Sequence, residues 1–153
     1  LYLPNASCNA AYRQWQESLR LSRLPPEQLK AEAAKFRQAT ADTAPQPWAL
    51  RNYVGNVLLS IAIPDYAAYI ERAHDVEGYH RLIRLQIAAL HERVPPGQMA
   101  DWLAGQAPEL KNPYTLQPMQ WDAATQSLVF TGEQAQSQNP EPKNVYRALL
   151  GGL

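Results

Sequence analysis

As far as Leu110 the apolar residues of this chain recur at helical spacing, and only beyond it do they alternate. That change of period predicts a body of packed helices with one small sheet near the C-terminal end. Cys8, Tyr12, Trp15 and Leu19 recur at intervals of 4, 3 and 4, one face of a helix over residues 6–21. Pro25-Pro26-Glu27 opens a second helix. Proline in the first turn gives up an N–H that has no partner there, and the acid lies near the positive end of the helix dipole. Leu29, Ala33 and Phe36 are its core stripe, and residues 43–47 break it.

Residues 48–63 are the most apolar stretch. Val54, Val57, Leu58, Ile61 and Ala62 share one face, and Leu59 and Ile63 cover much of the other, as in a central helix. Its polar residues Asn52, Asn56 and Ser60 fall on one narrow line, and Pro64-Asp65 ends or kinks it. Residues 66–74 and 79–93 read as two helices, or as one bent near Gly78. Gln86 lies inside the apolar stripe of Leu82, Leu85, Ala89 and Leu90, so it is expected to be buried and hydrogen-bonded. Val94-Pro95-Pro96-Gly97 stops this helix, and residues 98–105 form a short one with Met99, Trp102 and Leu103.

Met119 and Trp121 then alternate, as do Leu128 and Phe130, around a polar turn at residues 122–126. A lone hairpin is marginal in water, so its apolar face should pack on the helices. The expected class is mainly α: five or six short helices with a small C-terminal antiparallel β-hairpin at about residues 119–130. Residues 1–132 read as a single helical domain. Residues 133–153 read as a polar linker followed by a short apolar tail that either docks back or meets a partner.

Fourteen basic and fourteen acidic residues cancel. That argues against a general nucleic-acid binder, which needs a basic face to displace counterions, although zero net charge leaves room for local patches. The longest apolar run, Val57 to Ile63, is far short of the roughly 20 residues of a membrane span. The chain opens on Leu1 and not on Met, so an N-terminal leader or anchor ahead of it is left open. One cysteine, Cys8, allows no internal disulfide and is expected to be structural.

Glu71-x-x-His74 and Glu77-x-x-His80 each put a carboxylate and an imidazole on one helical face. The two copies point about 120° apart on a continuous helix, so a solvated charged bend is expected and no metal is assigned. His80 and His91 would lie about 16 Å apart and cannot share a ligand. No Gly-x-Ser-x-Gly turn is present, and the Ser60 hydroxyl is expected to bond back to a backbone carbonyl. No catalytic residue and no cofactor are assigned.

Asn112-Pro113-Tyr114-Thr115-x-x-Pro118-Met119-x-Trp121, followed by Leu128-Val129-Phe130-x-Gly132, resembles a known element. It is the C-terminal loop and hairpin of type II secretion pseudopilins and related pilin-like bacterial envelope domains. Leu116 stands where a glycine is usual there, and the acidic calcium-binding ending of the major pseudopilins is absent after Gly132. The resemblance implies a periplasmic or extracellular compartment and carries no activity.

The functional expectation is a non-catalytic protein–protein interaction or structural domain of a bacterial envelope or secreted protein. Its partner would be another protein, met through Trp102, Tyr114, Trp121 and Tyr146, because Trp and Tyr dominate interface hot spots. The alternative is a small helical hydrolase or ligand-binding protein. Its cleft would lie beside the central helix and use Asn52, Asn56, Ser60, Glu71, His74 and His80.

Overall fold

The computed structural model describes residues 2–42, 52–62, 65–132 and 145–150. Among them are five α-helices: α1 Pro4–Leu21, α2 Pro26–Asp42, α3 Tyr53–Ala62, α4 Tyr66–Glu92 and α5 Met99–Ala104. Three strands follow: β1 Gln120–Asp122, β2 Ser127–Thr131 and β3 Val145–Leu149. The chain is therefore mainly helical with a small C-terminal antiparallel sheet. Helix α4 differs from the expected pattern in running unbroken for 27 residues through Gly78. Of the two courses expected for the apolar tail it takes the first, docking back as a third strand. The expected break at residues 43–47, the start of the third helix at 48–51, Ile63-Pro64 and the polar linker at 133–143 lie outside the described residues.

The chain divides into two compact units, Leu1–Ile70 and Glu71–Leu153. The core of the first is Leu21, Leu29, Ala33, Phe36 and Ala67. Each large apolar side chain buried there contributes roughly 1.5–3 kcal/mol. The α2 stripe read from the sequence is this core.

Polar groups tie the start of α1 to the start of α3. Asn52 is buried and adopts a positive φ of 60°. Its Oδ1 accepts the N–H of Leu3, the residue that caps α1, at 2.7 Å, and its amide donates to Ser7 Oγ at 3.1 Å. A side chain from one helix start thus satisfies an orphan donor of another. Ser7 and Asn52 also fill the space where a Cβ on Gly55 would stand, so only glycine permits this approach.

The outward faces of this unit correct the sequence reading. Tyr12 and Trp15 are 58% and 54% exposed, and Leu58 and Ile61 are 51% and 78% exposed. Cys8 is exposed as well. Helix α1 packs through Ser7, Ser18 and Leu21, which leaves its aromatic stripe on the surface, Tyr12 stacked on Trp15 at 6.5 Å. Helix α3 is a surface helix and not a central one.

In the second unit, Leu82, Leu85 and Ala89 of α4 pack with Met99 and Leu103 of α5 and with Tyr114, Met119, Leu128, Phe130 and Ala148. The strand order is β1-β2-β3, all antiparallel, with Trp121 opposite Leu128 and Phe130 opposite Tyr146. The Phe130 ring occupies the place of a Cβ on Gly78. Gly78 therefore serves close packing and does not bend the helix. Gln86, half-buried, donates its amide to the Leu149 carbonyl at 2.7 Å. The hydrogen bond read from the sequence is thus present, and it fastens the end of β3 to α4.

Candidate functional site

Two features of the second unit carry chemistry. The first is a buried polar cluster on the Glu71-to-Asp75 turn of α4. Asp75 is fully buried and Glu71 is 2% exposed. The Tyr114 hydroxyl donates to Asp75 Oδ1 at 2.6 Å and lies 3.1 Å from the Glu71 carbonyl oxygen. Asn112 places Tyr114, since its Oδ1 accepts the Tyr114 N–H at 2.9 Å in an Asx turn. The Tyr114 and Tyr146 rings each stack on Phe130, with centroids 6.3 and 5.5 Å away. Burial, followed by the field of Asp75 and a hydrogen bond to it, raises the Tyr146 hydroxyl above its ordinary range. Gly132 closes the cluster, because a Cβ there would meet the Asp75 carboxylate. Three segments distant in sequence thus converge on one carboxylate of α4.

The second feature is a cleft of about 540 Å3, open to solvent, where α4 ends. Leu90, Arg93, Pro95 and Pro96 form one side, and Met99 of α5 lines it as well. Trp121 and Gln126 of the β1–β2 hairpin and Leu150 after β3 supply the rest. Helix α4 ends here in a Schellman motif: Val94 N–H bonds the Ala89 carbonyl at 3.0 Å and Arg93 N–H bonds the Leu90 carbonyl at 3.2 Å. Arg93 takes the left-handed position of that motif, with φ 55°. Gln126 is left-handed too, at φ 48°, and its carbonyl accepts the Leu150 N–H at 2.9 Å.

The residues expected at a partner surface separate into core and rim. Tyr114 is buried, 8% exposed, and its hydroxyl serves Asp75. Trp102 is half-buried, and its indole N–H donates to Glu92 at 2.7 Å. Tyr146 is half-buried between Phe130 and Tyr79. Trp121 is half-buried and lines the cleft.

Of the residues of the alternative reading, Asn52 and Ser60 bond to neighbouring groups. Asn52 joins α1 to α3 as described, and Asn56 is half-buried. Ser60 is exposed and donates to the Val57 carbonyl at 2.8 Å, the back-bond expected of it. Glu71 lies in the buried cluster. Partial burial lowers the pKa of His74, and His80 is exposed. Among the described residues, no three His, Cys, Asp or Glu side chains come together to hold a metal ion. No described helix is long and apolar enough to cross a membrane.

Sequence reasoning missed Leu90, Arg93, Gln126 and Leu150 as neighbours of Trp121. The one local signal was an arginine, in place of the usual glycine, just before Val94-Pro95-Pro96, where the helix must stop. Comparison with protein-family models, with curated proteins and with solved structures gives no match.

Proposed function

We propose that the second unit is a non-catalytic protein-docking domain of a bacterial envelope or secreted protein, and that its docking site is the cleft beside Trp121. One observation carries the reading. The cleft brings Leu90, Pro95, Met99, Trp121 and Leu150 to a cavity of about 540 Å3, the size range of sites that take a ligand or a few side chains. Of the four aromatic residues expected at an interface, Trp121 is the one at its wall. Tryptophan is the commonest anchor of binding energy at interfaces. The exposed side chains of Ile87 and Leu149, on α4 and β3, extend the apolar surface of this unit. The compartment rests on the likeness of residues 112–132 to the pilin-like element.

The test is affinity capture by the whole chain from envelope and soluble fractions of the source cells, with two surface variants in parallel. Leu90→Asp puts a charge on the cleft wall, and Val76→Asp puts one elsewhere on α4 at an exposed position. A partner from the envelope fraction that is lost with Leu90→Asp and kept with Val76→Asp supports the reading. No stoichiometric partner, or one indifferent to Leu90→Asp, overturns it.

A further inference from the structure

Resting on the docking reading above, we propose that the cleft takes a large apolar side chain of the partner together with an acidic residue beside it, and that Arg93 pairs with the acid. Arg93 is the charged residue among those lining the cleft. It is exposed, and among the described residues its guanidinium has no ion-pair or hydrogen-bond partner. Two acids on the surrounding elements are already engaged. Glu92 takes the Trp102 indole N–H at 2.7 Å, and Asp122 takes the Arg147 guanidinium at 2.6 Å. The site therefore offers an apolar wall and an unspent positive charge. Its complement is an apolar group with an adjacent carboxylate, which a guanidinium can hold through two parallel hydrogen bonds.

The backbone adds an independent argument. The left-handed end of a helix is the usual place of glycine, which adopts it without strain. Here an arginine occupies it, at φ 55°. Of the four described non-glycine residues with positive φ, Arg93 and Gln126 both line this cleft. Backbone strain of this kind gathers at ligand sites, where a side chain is worth more than relaxed geometry. Arg93→Gly removes the charge while suiting the backbone, so the fold is kept.

The experiment uses the whole chain to select from a display library of random peptides held at both ends. The wild type is expected to enrich peptides with a large apolar residue next to Asp or Glu. Arg93→Gly is expected to keep the apolar preference, lose the acidic one, and bind the selected acidic peptide about fivefold more weakly. Arg93→Glu is expected to turn the preference toward Lys or Arg. Enriched peptides with no acidic preference, or an acidic preference that survives Arg93→Gly, would overturn the role of Arg93 and leave docking standing. Stronger selection from a matched library of free C-termini would put a chain end in place of the acidic residue and overturn the proposal as stated. No enrichment at all, or binding indifferent to Leu90→Asp, would remove the docking site and this inference with it.

Discussion

The Tyr114 hydroxyl donates a 2.6 Å hydrogen bond to the carboxylate of Asp75, across 39 residues of sequence, inside the second unit. A fully buried carboxylate is stable only while its oxygens are bonded, and leaving one unmet costs about 1–3 kcal/mol or more. Tyr114→Phe keeps the ring on Phe130 and removes only the donor. It should lower the unfolding free energy by about 1–3 kcal/mol in urea. In a double-mutant cycle with Asp75→Leu, which has no acceptor, the two losses should not add. Additive losses would show that the hydroxyl acts through something other than Asp75.

Gly78 lies in the middle of α4, where alanine ordinarily stabilises an exposed helix by about 1 kcal/mol. Here the added methyl would meet the Phe130 ring. Gly78→Ala should therefore destabilise, by about 1–3 kcal/mol as overpacking does. Gly97→Ala, where nothing stands within 4 Å, is the control and should stay within about 0.5 kcal/mol of wild type. Thermal unfolding of the two variants side by side decides it.

Arg93→Gly should raise thermal stability, because glycine takes the left-handed helix end at no steric cost. A gain of about 0.5–1 kcal/mol is expected. A loss would mean that the arginine side chain stabilises the fold itself and is not kept for an occupant.

Asp122 couples the hairpin turn to β3 through Arg147 at 2.6 Å. Hydrogen bonds from Arg147 and then Thr125 bring its pKa down from 3.8 to about 2. The folded state thus holds the charged form more tightly than the unfolded chain does. The stabilisation is complete above the ordinary carboxylate value of 3.8 and is lost as the pH falls through about 2. A carbon-detected NMR titration should place the Asp122 midpoint near 2 in the wild type. In Arg147→Gln the midpoint should return toward the ordinary carboxylate value.

Much of the fold was legible because helix stops and changes of period are local. Pro26, Pro95-Pro96 and the polar turn after Trp121 each stand at an element boundary. Burial was less legible. Periodicity shows that Tyr12, Trp15 and Leu19 share a face, but not whether a neighbour covers it. Helix α1 packs instead through two serines and Leu21. The turn that begins at Glu71 looked like a charged bend because Tyr114, which bonds Asp75 and the Glu71 carbonyl there, lies in a distant loop. Gly78 looked like a hinge because the ring that needs its missing Cβ arrives from β2. The cleft was hidden for the same reason: its walls come from residues 89–99, 121–126 and 150, and no local pattern joins them.

A two-dimensional NMR titration of the whole chain with the strongest selected peptide watches the docking site itself. The chain has four tryptophans, so four indole N–H signals report separately. Docking in the cleft predicts that the Trp121 signal moves with saturation, together with the Met99 methyl, while that of Trp15 on the exposed face of α1 stays still. A Trp121 signal that stays fixed while Trp15 moves would contradict it and transfer the interaction surface to the first unit.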